Sequence, residues 1–285
     1  MKSICIKTNN PESIKYLLNE LRNSKIENIY FSCKKFKIYE NIIIHFKGKD
    51  EKKFLKDLSL LLSHLVIDVF EKKIIKQIIA NEFFYFDKIE QQEIAKTTIK
   101  DLYDDKESVY PITKCFSLLC NNFYTYLNTN KSIVLNGFIR FRIKNYIEII
   151  FEQIDKSVTK FLIDKEYNEF ITLLKIYINT EKSNCDIVHL IYSNSKSILL
   201  DKNKNVIKSN ENMFNAKYLS DISFSSSDYA LNTLLTLLPQ KLYLHIINHK
   251  EDEFLNTLKL IFENRIIYCT DCEICNLYKK IEQKY

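Results

Sequence analysis

The sequence predicts an α+β fold with a small α/β N-terminal domain (β-α-β-β-α), an all-helical middle and a C-terminal α/β domain that contains a βαβ unit. Strand-like runs rich in Ile, Tyr and Phe lie in the first 80 residues. Apolar residues then recur at helical spacing from about 74 to 177, where no strand is expected, and strand-like runs return near the C-terminus. We therefore expect domains at residues 1–80, 81–183 and 184–285.

The N-terminal elements follow from alternation and from helix-start signals. Residues 3–8 alternate as a strand, and Asn10 followed by Pro11 predicts the start of a helix. Residues 26–33 and 36–46 read as two further strands, and a long amphipathic helix begins near Glu51. This order favours helices on one face of a mostly antiparallel sheet.

The middle region is predicted to be helical throughout. Helices are expected at residues 87–102 and, after Pro111, at 112–127. Asn136 is expected to cap a long helix whose apolar stripe steps by three or four residues from Ile139 to Phe161. A second helical pattern, through Ile178, follows or continues it.

The last third predicts paired strands at 187–192 and 197–200, followed by a turn and a polar, loop-rich stretch from 208 to 227. Ser227 or Asp228 is expected to cap a helix that ends at Pro239. The pattern after this helix is strand, helix, strand, at 242–247, 251–262 and 266–269. A crossover of this length favours a parallel, right-handed connection.

Composition limits the classes of function. The chain has 285 residues, of which 46% are hydrophobic, so a globular protein is predicted. Two glycines provide no glycine-rich phosphate loop and no dinucleotide fingerprint. A net charge of +6 with interleaved Lys and Glu indicates a mixed solvated surface. No membrane span or secretion signal is seen, and eight cysteines in such a chain indicate a reducing compartment, so a cytoplasmic protein is expected.

Residues 135–142 (Leu-Asn-Gly-Phe-Ile-Arg-Phe-Arg) hold two of the four arginines in a chain whose other basic residues are lysines. Arginine there suggests a need for the planar guanidinium, not for charge alone. On a helix Arg140 and Arg142 diverge, and only Arg140 heads a charged row that steps by four residues to Asp164. The sequence leaves open an inter-element salt bridge, catalysis, or a site for an anion or an acidic partner formed by Asn136, Gly137, Arg140 and Arg142.

Cys269, Cys272 and Cys275 form a C-x2-C-x2-C array after the last predicted strand. Thiolates at this spacing can hold one Zn2+ or part of an iron–sulfur cluster. Tetrahedral zinc needs a fourth ligand, and the candidates are Cys185, His245 and His249. A reactive thiol site and a structural or incidental cluster are the alternatives. His189, like His45 and His64, lies in an apolar pattern and is interpreted as a core or boundary residue.

Residues 135–142, 164–170 (Asp-Lys-Glu-Tyr-Asn-Glu-Phe) and 269–275 (Cys-Thr-Asp-Cys-Glu-Ile-Cys) together resemble the YtxC-like sporulation protein family. The resemblance implies a cytosolic protein of endospore-forming bacteria with a role in sporulation. It implies no catalytic residues. Only the glycine–arginine signature and the three-cysteine tail are carried over, as family marks.

The first functional hypothesis is a non-enzymatic regulatory or interaction protein whose unknown protein partner binds near Asn136, Arg140 and Arg142. The second is a zinc or iron–sulfur protein, or an enzyme, that uses Cys269, Cys272 and Cys275. The third is a nucleic-acid-binding protein, motivated by the mild positive charge and the two arginines.

Overall fold

The protein has the predicted α+β fold, built on two mixed four-stranded sheets. The structure is a computed structural model that describes residues 2–24, 26–104, 106–193, 196–207, 225–247, 252–269 and 271–282. The chain separates into two compact units, Met1–Ile163 (unit 1) and Asp164–Tyr285 (unit 2). The domain boundaries at 80/81 and 183/184 stay a prediction.

The sheet of unit 1 has the strand order β2-β3-β1-β4. Its strands are β1 (Lys2–Thr8), β2 (Ile29–Lys35), β3 (Glu40–Phe46) and β4 (Ser132–Val134). β3 pairs antiparallel with both β1 and β2, whereas β4 pairs parallel with β1. Ile4, Ile6, Ile42 and Ile44 alternate along β1 and β3 and are fully buried, so one face of the sheet forms the core, as the alternation predicts.

Helices cover this core. They are α1 (Pro11–Asn23), α2 (Glu51–Leu65), α3 (Lys72–Glu82), α4 (Lys88–Leu102), α5 (Ile112–Thr129), α6 (Leu135–Arg142) and α7 (Lys144–Thr180), with a π-helical segment at Val66–Glu71 between α2 and α3. The predicted N-cap of α1 is confirmed, and α4 also has a side-chain cap. The Asn10 side chain accepts from the backbone N–H groups of Glu12 and Ser13, and Asp87 forms a capping box with Glu90.

Three expectations about the middle region were wrong. β4 lies inside the stretch expected to lack strands, and its three residues are too few to show an alternating pattern. Asn136 is not an N-cap, because the extended Val134 that pairs with Lys7 leads directly into α6 and makes Leu135 its first residue. The long helix expected from Asn136 is also interrupted, because Ile143 leaves the helical conformation (φ −107°, ψ 34°) between α6 and α7.

The sheet of unit 2 has the order β6-β5-β7-β8, with β5 (Cys185–Ser193), β6 (Lys196–Leu200), β7 (Pro239–Ile246) and β8 (Ile266–Tyr268). Its helices are α8 (Ser226–Leu237), α9 (Glu253–Ile261) and α10 (Glu273–Glu282). β5 and β7, and β7 and β8, are parallel, which confirms the predicted crossover. The cap of α8 is Ser225, earlier than the predicted Ser227 or Asp228, because its hydroxyl accepts from the Asp228 N–H. The predicted loop at 208–227 lies mostly outside the described residues.

The two faces of this sheet carry different amounts of apolar packing. Val188, Leu190 and Leu244 belong to a core that also includes residues of α7, α8 and α9. The opposite face carries a smaller cluster whose buried members are Ile191, Leu200, Ile247, Ile274 and Cys275. The last two belong to α10, which covers this second face within the described part of unit 2.

Arg265 ties three elements of unit 2 together. Its guanidinium donates to the carbonyl oxygens of Leu238 and Pro239, at 3.3 and 3.1 Å, and to that of Ile178. These carbonyls lie near the end of α7 and at the junction of α8 with β7. The planar, multidentate donor set of arginine suits this role better than lysine would.

None of the helices in the described part of the chain combines the length and apolarity that a membrane crossing needs.

A buried carboxylate lies at the end of the π-helical segment. Glu71 is 3% exposed, and it accepts hydrogen bonds from the hydroxyls of Tyr103 (2.5 Å) and Tyr146. Burial raises the pKa of Glu71 above its usual range, and the two tyrosine hydrogen bonds offset only part of that rise. The folded state therefore binds this proton more tightly than the unfolded state, in which a glutamate titrates near pH ~4.3.

Glu71 stabilises the fold at acidic pH, and this contribution is lost as the pH rises through the raised pKa of the folded state. Glu71→Gln cannot titrate, so its free energy of unfolding relative to the wild type should increase from about pH 4 towards neutrality and then level off. Urea unfolding monitored by circular dichroism at several pH values measures this difference. Exposed Glu93→Gln is the matched control for the loss of one surface carboxylate. A difference for Glu71→Gln that does not change with pH would contradict the raised pKa.

Candidate metal centre

The parallel pairing of β7 with β8 brings the C-terminal cysteines beside a histidine. Leu244 pairs with Tyr268, and the backbone N–H of Cys269 donates to the Leu244 carbonyl at 3.0 Å. Cys269 therefore leaves β8 next to His245 on β7. α10 begins at Glu273, which places Cys275 in its first turn.

The ligand atoms of His245, Cys269, Cys272 and Cys275 all lie within 4.8 Å of one another. The Sγ atom of Cys275 lies 3.7 Å from that of Cys269 and 3.9 Å from that of Cys272. Nδ1 of His245 lies 3.3 Å from the Cys275 sulfur and 3.5 Å from the Cys272 sulfur. The four atoms converge on one point.

These separations match the edges of a zinc tetrahedron. Zn–S bonds of about 2.3 Å and Zn–N bonds of about 2.0–2.1 Å place tetrahedral sulfurs ~3.8 Å apart and a sulfur and a nitrogen ~3.6 Å apart. An iron–sulfur cluster distributes its thiolates over several irons, which needs sulfurs farther apart than the edge of a single tetrahedron. The residues therefore fit one tetrahedral ion better than a cluster.

Protonation favours His245 and Cys272 as ligands. His245 is 2% exposed, and burial together with the His189 ring lowers its pKa to about 4, so its imidazole is neutral at physiological pH. Burial alone would raise the pKa of Cys272, but hydrogen bonds, foremost from the Cys275 backbone N–H, lower it overall. Burial and hydrogen bonds to its neighbouring thiols raise the pKa of Cys269 to about 11. A bound cation would displace that proton.

A second histidine orients the first. Nε2 of His245 lies 3.0 Å from Nδ1 of His189 on β5, and the His189 ring stacks on Tyr243 with centroids 5.0 Å apart. When Nδ1 of His245 binds an ion, Nε2 carries the proton and donates a hydrogen bond to Nδ1 of His189. A ligating histidine commonly has such an outer partner, which fixes its tautomer and its ring orientation. The expected core role of His189 is thus incomplete, because its ring also contacts the cluster.

Of the three candidates for the fourth ligand, the structure brings His245 to the cysteines. Cys185 pairs with Pro239 at the other end of β5 and β7, and it is not part of the cluster. His249 lies outside the described residues. The side of the cluster near His189 and Lys204 borders a groove of about 670 Å³.

α10 is the element that sequence reasoning missed here. No element is predicted after the strand at 266–269, although Ile274 and Tyr278 recur at helical spacing and both contribute to the cluster of apolar residues on this face. The spacing of these two residues is the sequence signal that could have predicted the helix. The helix explains why Cys275 is buried, with 4% of its surface exposed.

The signature residues of the predicted anion or partner site lie along α6. Asn136 and Gly137 are in its first turn, whereas Arg140 and Arg142 are in its last, so the arginines lie away from the free N-terminal amides. The Asn136 side chain donates to Oδ1 of Asn9 at 2.7 Å. A Cβ atom at residue 137 would lie 3.9 Å from its nearest neighbour, so space does not require glycine there. Binding at these residues stays a prediction.

Both arginines contact aromatic rings. The guanidinium carbon of Arg140 lies 5.6 Å from the Phe141 ring centroid, and that of Arg142 lies 6.0 Å from the Tyr126 centroid. Within the described part of unit 1, neither arginine forms an ion pair.

Comparison with known proteins identifies one similarity. A model of the YtxC-like family matches residues 56–267, more than half of the chain. The matched region includes residues 135–142 and His245, but it ends before the three cysteines. Neither the curated proteins nor the solved structures include one that matches this chain.

The His189–His245 contact gives a testable prediction. Replacing His189 with Leu removes the acceptor for Nε2–H, so Zn2+ affinity should fall about 10- to 100-fold. His189→Gln, which supplies an amide oxygen, should lose less. Competition with a chromophoric chelator measures the affinity, and circular dichroism checks that both variants fold. Equal affinity of His189→Leu and the wild type would rule out the orienting role.

Proposed function

We propose that this chain, which belongs to the YtxC-like family, holds one structural zinc ion in unit 2 and serves sporulation as a non-enzymatic cytosolic interaction protein. The observation that carries the zinc assignment is the convergence of His245, Cys269, Cys272 and Cys275 within 4.8 Å. Three sulfurs and one imidazole nitrogen are the donor set of many structural zinc sites.

Four protein ligands favour a structural role over a catalytic one. Catalytic zinc keeps a coordination position open for water or substrate, whereas a site with four side-chain ligands is closed. A zinc ion here would join the ends of β7 and β8 to the start of α10. The chain's own contribution is to preorganise the donors, with the Cys275 backbone N–H on Cys272 and His189 on His245.

A single iron ion is the second candidate for the same ligands, because tetrahedral sulfur-rich sites also accept iron. The sulfur separations of 3.7 and 3.9 Å fit one ion of either metal. Metal content distinguishes the two candidates.

Family membership supports the sporulation role. The resemblance of residues 135–142 to the YtxC-like family implies that role, and the family model matches this region. The non-enzymatic part of the proposal is supported by the four side-chain donors of the cluster, which would fill every position of a tetrahedral ion. It does not depend on the identity of the metal.

Protein purified anaerobically without added metal should contain about one zinc per chain, because the donors are preorganised. Cys272→Ser and His245→Ala should each lose most of it, and Cys33→Ser, an exposed cysteine on β2, should keep it. Elemental analysis by mass spectrometry measures the metal. Iron at the same stoichiometry would select the second candidate. Substoichiometric amounts of both metals would refute the metal site.

The sporulation role is tested separately. In an endospore-forming host that carries this chain, deletion of its gene should lower the yield of heat-resistant spores, and the wild-type copy should restore it. His245→Ala should restore it poorly and Cys33→Ser fully, if the ion stabilises the functional fold. Full spore yield after deletion would refute the sporulation role without touching the metal assignment.

A further inference from the structure

A groove of about 680 Å³ lies between α3 and α4 in unit 1, which are joined by residues 83–87. Its polar lining consists of five lysines and two glutamines, and no acidic residue lines it. The lysines are Lys72, Lys76, Lys88, Lys96 and Lys100. All five are exposed.

None of these lysines forms an ion pair within the described residues, whereas other lysines of unit 1 do. Lys73 pairs with Glu12 at 2.5 Å and Lys156 pairs with Glu107 at 3.2 Å. Lys72 with Lys76, and Lys96 with Lys100, are like-charged pairs at i,i+4, an arrangement that destabilises a helix. Uncompensated charge of this kind is expected where an anionic ligand supplies the counter-charge.

The floor of the groove is aliphatic. Ile79 and Ala95 are buried, Ile99 is half-buried, and Ala80 leaves space for close approach. Grooves that bind single-stranded nucleic acid combine positive charge with aromatic rings on which bases stack. Neither an aromatic ring nor an arginine lines this groove.

We propose that the α3–α4 groove docks an acidic amphipathic helix of a protein partner. Apolar side chains of that helix would cover Ile79, Ala95 and Ile99, and its carboxylates would face the lysines along both rims. Lysines at i,i+4 repeat every ~6 Å along the helix axis, which is the repeat of glutamates at i,i+4 on a partner helix. The lysines favour a negatively charged partner. The aliphatic floor favours a partner that also has an apolar face over a polyanion that has none.

The probe is a fluorescent synthetic peptide of about 18 residues, or five helical turns, with Leu at i, i+3, i+4 and i+7 and Glu on the flanks. Anisotropy titration should show saturable binding that weakens with added salt. Lys76→Gln/Lys96→Gln should raise the dissociation constant about tenfold. Lys34→Gln/Lys35→Gln, which removes the same charge from β2, should change it less than about twofold.

Reversing the charge of two groove lysines distinguishes specific docking from misfolding of the variant. Lys76→Glu/Lys96→Glu should lose the acidic peptide and gain a peptide in which every Glu is replaced by Lys. Three results would overturn the proposal: no saturable binding to the wild type, equal binding of a peptide with its leucines dispersed, or equal effects of the groove and β2 variants. Tighter, equally lysine-dependent binding of a thymidine oligonucleotide of similar length would overturn it in favour of nucleic acid.

Discussion

The attachment of α10 to the second face of its sheet is the constraint on which the cysteine–histidine cluster depends. Ile274 and Cys275 are the buried residues among positions 273–280 of this ten-residue helix, and the apolar cluster beneath it is small. Isolated helices shorter than about 12–15 residues are marginal in water, and two buried side chains add only a few kcal/mol. Ligation of one ion by Cys269, Cys272, Cys275 and His245 would tie the start of α10 to β7 and β8.

The argument for a guanidinium also applies at an arginine that the sequence pattern does not single out. Scarce arginine among abundant lysine indicates a need for a multidentate donor. That need is met at Arg265, whose guanidinium binds three backbone carbonyls. Arg140 and Arg142, which drew notice because they lie close together in sequence, contact aromatic rings instead. The closeness of two arginines in the sequence does not indicate which backbone carbonyls lack a hydrogen-bond donor. Only the folded structure shows this.

Local rules predicted much of the fold, and pairing between distant segments decided the rest. Alternation located β1 and β3, and Asn10 caps α1 as predicted. The three residues of β4 became a strand only by pairing with β1, which also moved the start of α6 away from Asn136. At the cluster, spacing identified the three cysteines and a short set of fourth ligands. The choice of His245 over Cys185 required the register of β5, β7 and β8, which no local pattern contains.

Core filling alone explains the cysteines but not the histidine. A buried thiol packs as a small apolar group, so three cysteines could close the space beneath α10 without a metal. His245, however, is 2% exposed, with Nδ1 facing the Cys272 and Cys275 sulfurs and Nε2 facing another imidazole. Sulfur is a weak hydrogen-bond partner, so burying Nδ1 against thiols alone costs free energy. A cation bound by Nδ1 and the three sulfurs removes that cost, which makes the histidine the stronger argument for a metal.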